Sequence, residues 1–210
     1  MRIRTTSTAA RCLVTLGAAT ALALGGAALP ASAAPAMPAA TATTAAHADP
    51  RALAAVTSLA TQRLALADKV AAAKYGTDAP IDDPAREQQI LDDVAKRSAD
   101  LGIDPAFAQS VFRDQIEANK VVQRGLYARW DAHPEQRPTE RPDLATEVRP
   151  QLDRITTQLL DALRAVAPVR TSPACGPLLT AAALHDAHAR GFDALHLKGL
   201  ARALPSVCAS

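Results

Sequence analysis

Apolar residues recur at three- and four-residue spacing through most of the chain after residue 49, which is the period of amphipathic helices and not of strands. Leu53, Val56, Ala60, Ala67 and Val70 share one face of a first helix, predicted from Pro50 to Tyr75 and stopped by Gly76. Asp83-Pro84 then offers a capping carboxylate followed by proline at the first helical position, the start of a second helix carrying Ile90, Leu91, Val94 and Leu101 up to Gly102. Asp104-Pro105 repeats that start for a third helix, predicted to run to about Ala132. The polar, proline-rich stretch HPEQRPTERP, residues 133–142, is a loop. Asp143 caps a fourth helix with Leu152, Ile155, Leu159, Leu163 and Val166 on its apolar face, ending at Pro168. Pro150, within its first two turns, predicts a kink or a restart. Two shorter helices, about 174–190 and 193–204, break at Gly191. The pattern predicts a single all-α domain, a bundle of about six helices with the first and third long.

The first 48 residues read differently. Arg2, Arg4 and Arg11 precede the apolar run CLVTLGAATALALGGAAL, and an A-x-A-like site follows, the layout of a secretory signal peptide over residues 1–33 cleaved near Ala33. Residues 34–48 are rich in Ala, Pro and Thr without periodicity, a flexible leader, and the folded domain is placed at 49–210. The protein is therefore expected outside the cytoplasm, secreted or periplasmic, with no membrane attachment once the signal is removed. Cys12 leaves with the signal, so Cys175 and Cys208 are an even pair in an exported chain and predict one disulfide. A shared zinc ion is the alternative, but two cysteines so far apart lack the spacing of a metal knuckle.

The formal net charge is +2 for the whole chain, three of its positive residues lie in the signal, and a near-neutral mature domain gives no field for nucleic acid. Charge matters instead at particular positions. Arg63 and Lys74, eleven residues apart, return to one face of the first helix about 16 Å apart, inside its apolar stripe. No acid on that helix matches them, and an inward cation without a partner is costly, so a bound anion is a candidate partner. The competing reading is that both stems lie along apolar surface with their heads in water. On the third helix Phe112, Ile116, Asn119, Gln123, Leu126 and Trp130 fall within about 80° of one another, placing two amides in an aromatic and aliphatic stripe. Arg149 aligns with Leu152, Thr156 and Leu163 as a further inward cation.

Other chemistry is poorly supported. His185 and His188 have metal-site spacing but no third ligand or carboxylate on their face, and His196 follows a helix break, so no metal is expected. Asp82-Asp83 could be an acid/base couple, but at a helix start such neighbours more often cap. The chain has neither a nucleophile elbow nor a glycine-rich phosphate loop.

With these residues assembled the chain resembles the all-α chorismate mutases of the AroQ class, specifically the exported, gamma subclass of bacteria. The resemblance rests on QRLALADKVAAAKY, PIDDPARE, GIDP with VFRDQIEANKVVQ, DLATEVRPQLD and the C-terminal cysteine pair, from about Leu53 to Cys208. It implies that Arg63, Arg86 and Arg149 bind the substrate carboxylates, all from one chain. Lys74 would contact the ether oxygen and a carboxylate, and Gln123 the ether oxygen from the other side. Asn119 falls where relatives carry Ser or Thr, and Asp83 and Glu87 lie beside the ring hydroxyl. Ile90 stands where some relatives have Gln. The implied partner is chorismate, the implied assembly a homodimer, and the implied chemistry a step of aromatic amino-acid biosynthesis needing neither cofactor nor metal. An intramolecular Claisen rearrangement of a dicarboxylate transfers no proton and forms no covalent intermediate. It calls for a pocket that holds both carboxylates and for donors at the ether oxygen, where negative charge builds. The rival reading is a secreted helical protein that captures a small dicarboxylate without reacting it. A third is a structural protein whose inward charges pair across helices.

Overall fold

The structure is a computed structural model that describes residues 49–209; the expected signal peptide and leader, 1–33 and 34–48, lie outside the described residues. Six α-helices occupy them: α1 Pro50–Lys74, α2 Pro84–Asp100, α3 Pro105–Ala132, α4 Arg149–Val166, α5 Cys175–Ala189 and α6 Ala194–Ala203, with no strand among the described residues. Asp83-Pro84 and Asp104-Pro105 start their helices as the sequence predicts, and Asp49-Pro50 starts α1 in the same way. The side chains of Asp49, Asp83 and Asp104 accept hydrogen bonds from the backbone N–H groups of Arg51, Arg86 and Ala106, supplying acceptors to otherwise orphaned donors. Gly76 and Gly102, just past the ends of α1 and α2, have φ of +68° and +71°, which favours glycine over any residue with a Cβ.

Pro150 gives a restart. Val148 and Arg149 donate to carbonyls five residues back, Asp143 and Leu144, so residues 144–148 form one wide turn before α4. A proline ring clashes with the carbonyl four residues earlier, and widening the preceding turn makes room for it. This turn brings Arg149 to the first position of α4.

α1 and α3 are the axis of the bundle. α1 packs against α3, α4 and α5, while α3 packs against α1, α2 and α6. Phe112, Leu53, Leu64, Leu91, Leu159, Leu160 and Leu163 are fully or almost fully buried between these helices. Gly199 lets α6 approach closely: a Cβ there would lie 2.8 Å from Val122 and 3.2 Å from Leu64. Cys175, at the start of α5, is bonded to Cys208 beyond α6, closing the C-terminal pair of helices into one loop. No described helix is long and apolar enough to cross a membrane.

Candidate active site

Because α2 leans on α3 and α4 leans on α1, a wedge opens between α2 and α4 with α1 as its floor, a cavity of about 400 Å³. Arg63 and Lys74 enter it from α1, Asp83 and Arg86 from the first turn of α2, and Arg149 from the start of α4. Arg97 completes the cationic lining from the far end of α2. Five cations against the three carboxylates of Asp83, Asp93 and Asp153 leave two positive charges facing this space. Arg97 is paired with Asp93 at 3.3 Å, but no carboxylate of the described residues lies within 4 Å of Arg63, Lys74, Arg86 or Arg149. Cations held together without counter-ions define an anion site, and a surplus of two suits a dianion.

Arg63 sits deepest, 7% exposed, with its guanidinium 5.7 Å from the Phe112 ring and Nη1 donating to Thr156 Oγ1 at 3.3 Å. Burial pushes its pKa down to about 10, with Asp153 pulling the other way, so it remains a cation at neutral pH. Three turns on, Lys74 is half-buried and Nζ donates to the Pro80 carbonyl at 2.7 Å. The reversal at Gly76 carries residues 79 to 83 back over that ammonium. Burial lowers the Lys74 pKa below its ordinary value; Asp83, Glu87 and Asp82 oppose the shift, and Arg149 adds to it. Arg86 and Arg149 are exposed at the rim, the Arg86 guanidinium donating to Gln89 Oε1 at 3.3 Å. Long cationic side chains at the rim and one fixed in the floor are arranged to meet an anion from two sides.

Asp83 lines the cavity, yet Oδ1 is engaged as the cap of α2 by Arg86 N at 3.0 Å. Gln123 is 3% exposed on α3 and donates from Nε2 to Asn119 Oδ1 at 2.7 Å, so the two amides of the stripe are joined. Neither they nor Glu87 is among the cavity-lining residues. Glu87 instead accepts from the Asp83 backbone N at 3.3 Å and faces Lys120 of α3. Lys120, Asp153 and Arg97 were not singled out from sequence. The one usable signal for Lys120 was Glu117 three residues before it, beside a stripe that already held two polar residues. The three candidate metal histidines do not form a cluster: among the described residues no group of three or more metal-ligating side chains converges.

Residues 54–124 match the family described as Chorismate mutase type II, a span holding every candidate residue of α1, α2 and α3 but not Arg149. The chain is 38% identical over 160 residues to a secreted chorismate mutase of Mycolicibacterium smegmatis, covering 76% of this chain and 88% of that protein. It is 30% identical over 156 residues to a secreted chorismate mutase of Mycobacterium tuberculosis, with 74% and 78% covered. Among solved structures, the chorismate mutase from Burkholderia thailandensis superposes with a TM-score of 0.71 at 44% identity, covering 75% of this chain and 99% of that one. The enzyme from Burkholderia phymatum gives 0.73 at 32%, with 78% and 100% covered.

Proposed function

The chain belongs to the type II chorismate mutase family of isomerases, and on that premise we propose that the wedge between α1, α2 and α4 is where chorismate rearranges to prephenate. The observation that carries this placement is the set of Arg63, Lys74, Arg86 and Arg149, convergent and without carboxylate partners, around a space of about 400 Å³. Chorismate carries two carboxylates, and the cavity has two positive charges to spare.

In this reading Arg63 and the rim arginines Arg86 and Arg149 each present a planar fork to a carboxylate. Fixing both carboxylates folds the enolpyruvyl arm over the ring and converts a floppy substrate into a reactive conformer. As the ether C–O bond breaks and the new C–C bond forms, negative charge gathers on the ether oxygen. Lys74 is the donor best placed to meet it, since its ammonium is half-buried, lies in the cavity and is held by a single neutral carbonyl. Gln123 is assigned the opposite donor, with Asn119 orienting its amide. Asp83 and Glu87 are assigned to the side of the ring hydroxyl.

The finer assignments follow from the same reading: an exported enzyme of the gamma subclass, with residues 1–33 removed, acting outside the cytoplasm as a homodimer. The two relatives named as secreted support export, and the Cys175–Cys208 bond suits an oxidising compartment. Incubating the purified protein with chorismate and following loss of its absorbance tests the placement and the activity together. Conversion to prephenate is expected, and binding without conversion returns the chain to the capture reading.

A further inference from the structure

Lys120 is 8% exposed and bonded to three carboxylates, from α3, from α2 and from the segment that leads into α2: Glu117 at 2.5 Å, Glu87 at 3.2 Å and Asp82 at 3.3 Å. Arg124, one turn further along α3, grips the same Asp82 at 2.6 Å and 2.7 Å. Asp82 and Glu87 bracket the first turn of α2, and Glu87 also receives the Asp83 backbone N–H. That turn carries Asp83 and Arg86 into the cavity. The carboxylates of Glu87 and Asp82 are close enough to Lys74 to raise its affinity for a proton, so their charge reaches the anion site. Burial opposes the charge on Lys120, but Glu117, Glu87 and Asp82 outweigh it and hold the ammonium protonated.

We propose that Lys120 is a positioning residue for the rearrangement: it pins the first turn of α2 to α3, so that Arg86 meets the substrate, and cancels negative charge that Glu87 and Asp82 would otherwise set beside a bound dianion. This rests on the wedge being the chorismate site. A buried ion cluster with a purely structural task would cost stability when broken. The role proposed here adds a charge effect on substrate binding that travels through Glu87.

Steady-state kcat and KM for chorismate, measured on the full chain, separate the two. Lys120→Met is expected to raise KM about tenfold while kcat falls less than about threefold, because lost positioning and added repulsion act on binding more than on the ether-oxygen donors. Lys120→Arg, which keeps the charge, is expected to recover most of the affinity. In the Lys120→Met/Glu87→Gln double variant the losses in kcat/KM are expected to be less than multiplicative, since the two residues act partly as one unit while Asp82 keeps its charge. A KM for Lys120→Met within about twofold of wild type, or losses that multiply in the double variant, overturns the role. Where Lys120→Met does not fold, Lys120→Gln replaces it in the same cycle. Absence of conversion by the wild-type chain would overturn the site itself, a result separate from an active wild type with an unaffected Lys120 variant.

Discussion

Gln123 and Asn119, one turn apart on α3, are joined by a hydrogen bond of 2.7 Å from Nε2 to Oδ1, and Oε1 of the same buried glutamine has no partner among the described residues. One of the two amide hydrogens is thus committed to Asn119, and the other is free to be aimed by it.

An amide donates at any pH, whereas a carboxyl in the same place donates only while protonated. Wild-type kcat is therefore expected to stay level from about pH 5 to 8, and Gln123→Glu is expected to fall as pH rises through a carboxyl pKa pushed up by burial. On the alkaline side wild-type kcat/KM declines, because Lys74 and Arg63 must be charged to bind and both hold their protons less tightly than usual in the free enzyme. Bound carboxylates raise both pKa values, so the decline in kcat lies at higher pH than that in kcat/KM. pH series of the two proteins check this; identical profiles would exclude Gln123 as a donor.

Outside the cavity lining, His196 of α6 lies between Asp68 of α1, 2.9 Å from Nε2, and Asp193, 2.6 Å from Nδ1. Asp68 first, then Asp193, raises its pKa from 6.5 to about 9 against the effect of burial. A folded-state pKa above the unfolded one means stability that is full below about pH 6.5 and lost as pH rises through about 9. His196→Gln should cost about 1 to 2 kcal/mol at pH 6, discounted for the solvent that reaches the cluster, and almost nothing at pH 10. Urea unfolding of both proteins at the two pH values measures the difference.

Reducing the Cys175–Cys208 bond, which spans 33 residues, should lower stability by about 3 to 4 kcal/mol through loop entropy. Neither cysteine lines the cavity, so kcat of the folded, reduced enzyme should be unchanged. Unfolding curves with and without reductant, beside activity at low denaturant, test both halves.

The helices were legible because their signals are local: Asp83 and Asp104 cap where an acid-proline pair says they should, and glycines with positive φ follow three of the ends. Arg63 and Lys74 could be flagged because they interrupt an apolar stripe of one helix, and they do face one cavity. The number of residues in the turn before α4 was not legible, since it depends on how Pro150 is accommodated by the backbone before it. Nor was Lys120, because its partners are 33 and 38 residues away as well as three, and pairing across helices leaves no period in the sequence. The same limit applies to Glu87, where the sequence places an acid near the site but not the lysine it faces.

The most direct test of the account is turnover of chorismate by Lys74→Ala in a protein shown to be folded. If the Lys74 ammonium meets charge building on the ether oxygen, kcat falls about a hundred- to a thousandfold, the loss of one transition-state donor worth roughly 3 to 4 kcal/mol. A kcat equal to that of wild type would contradict the mechanism, whatever the cavity binds.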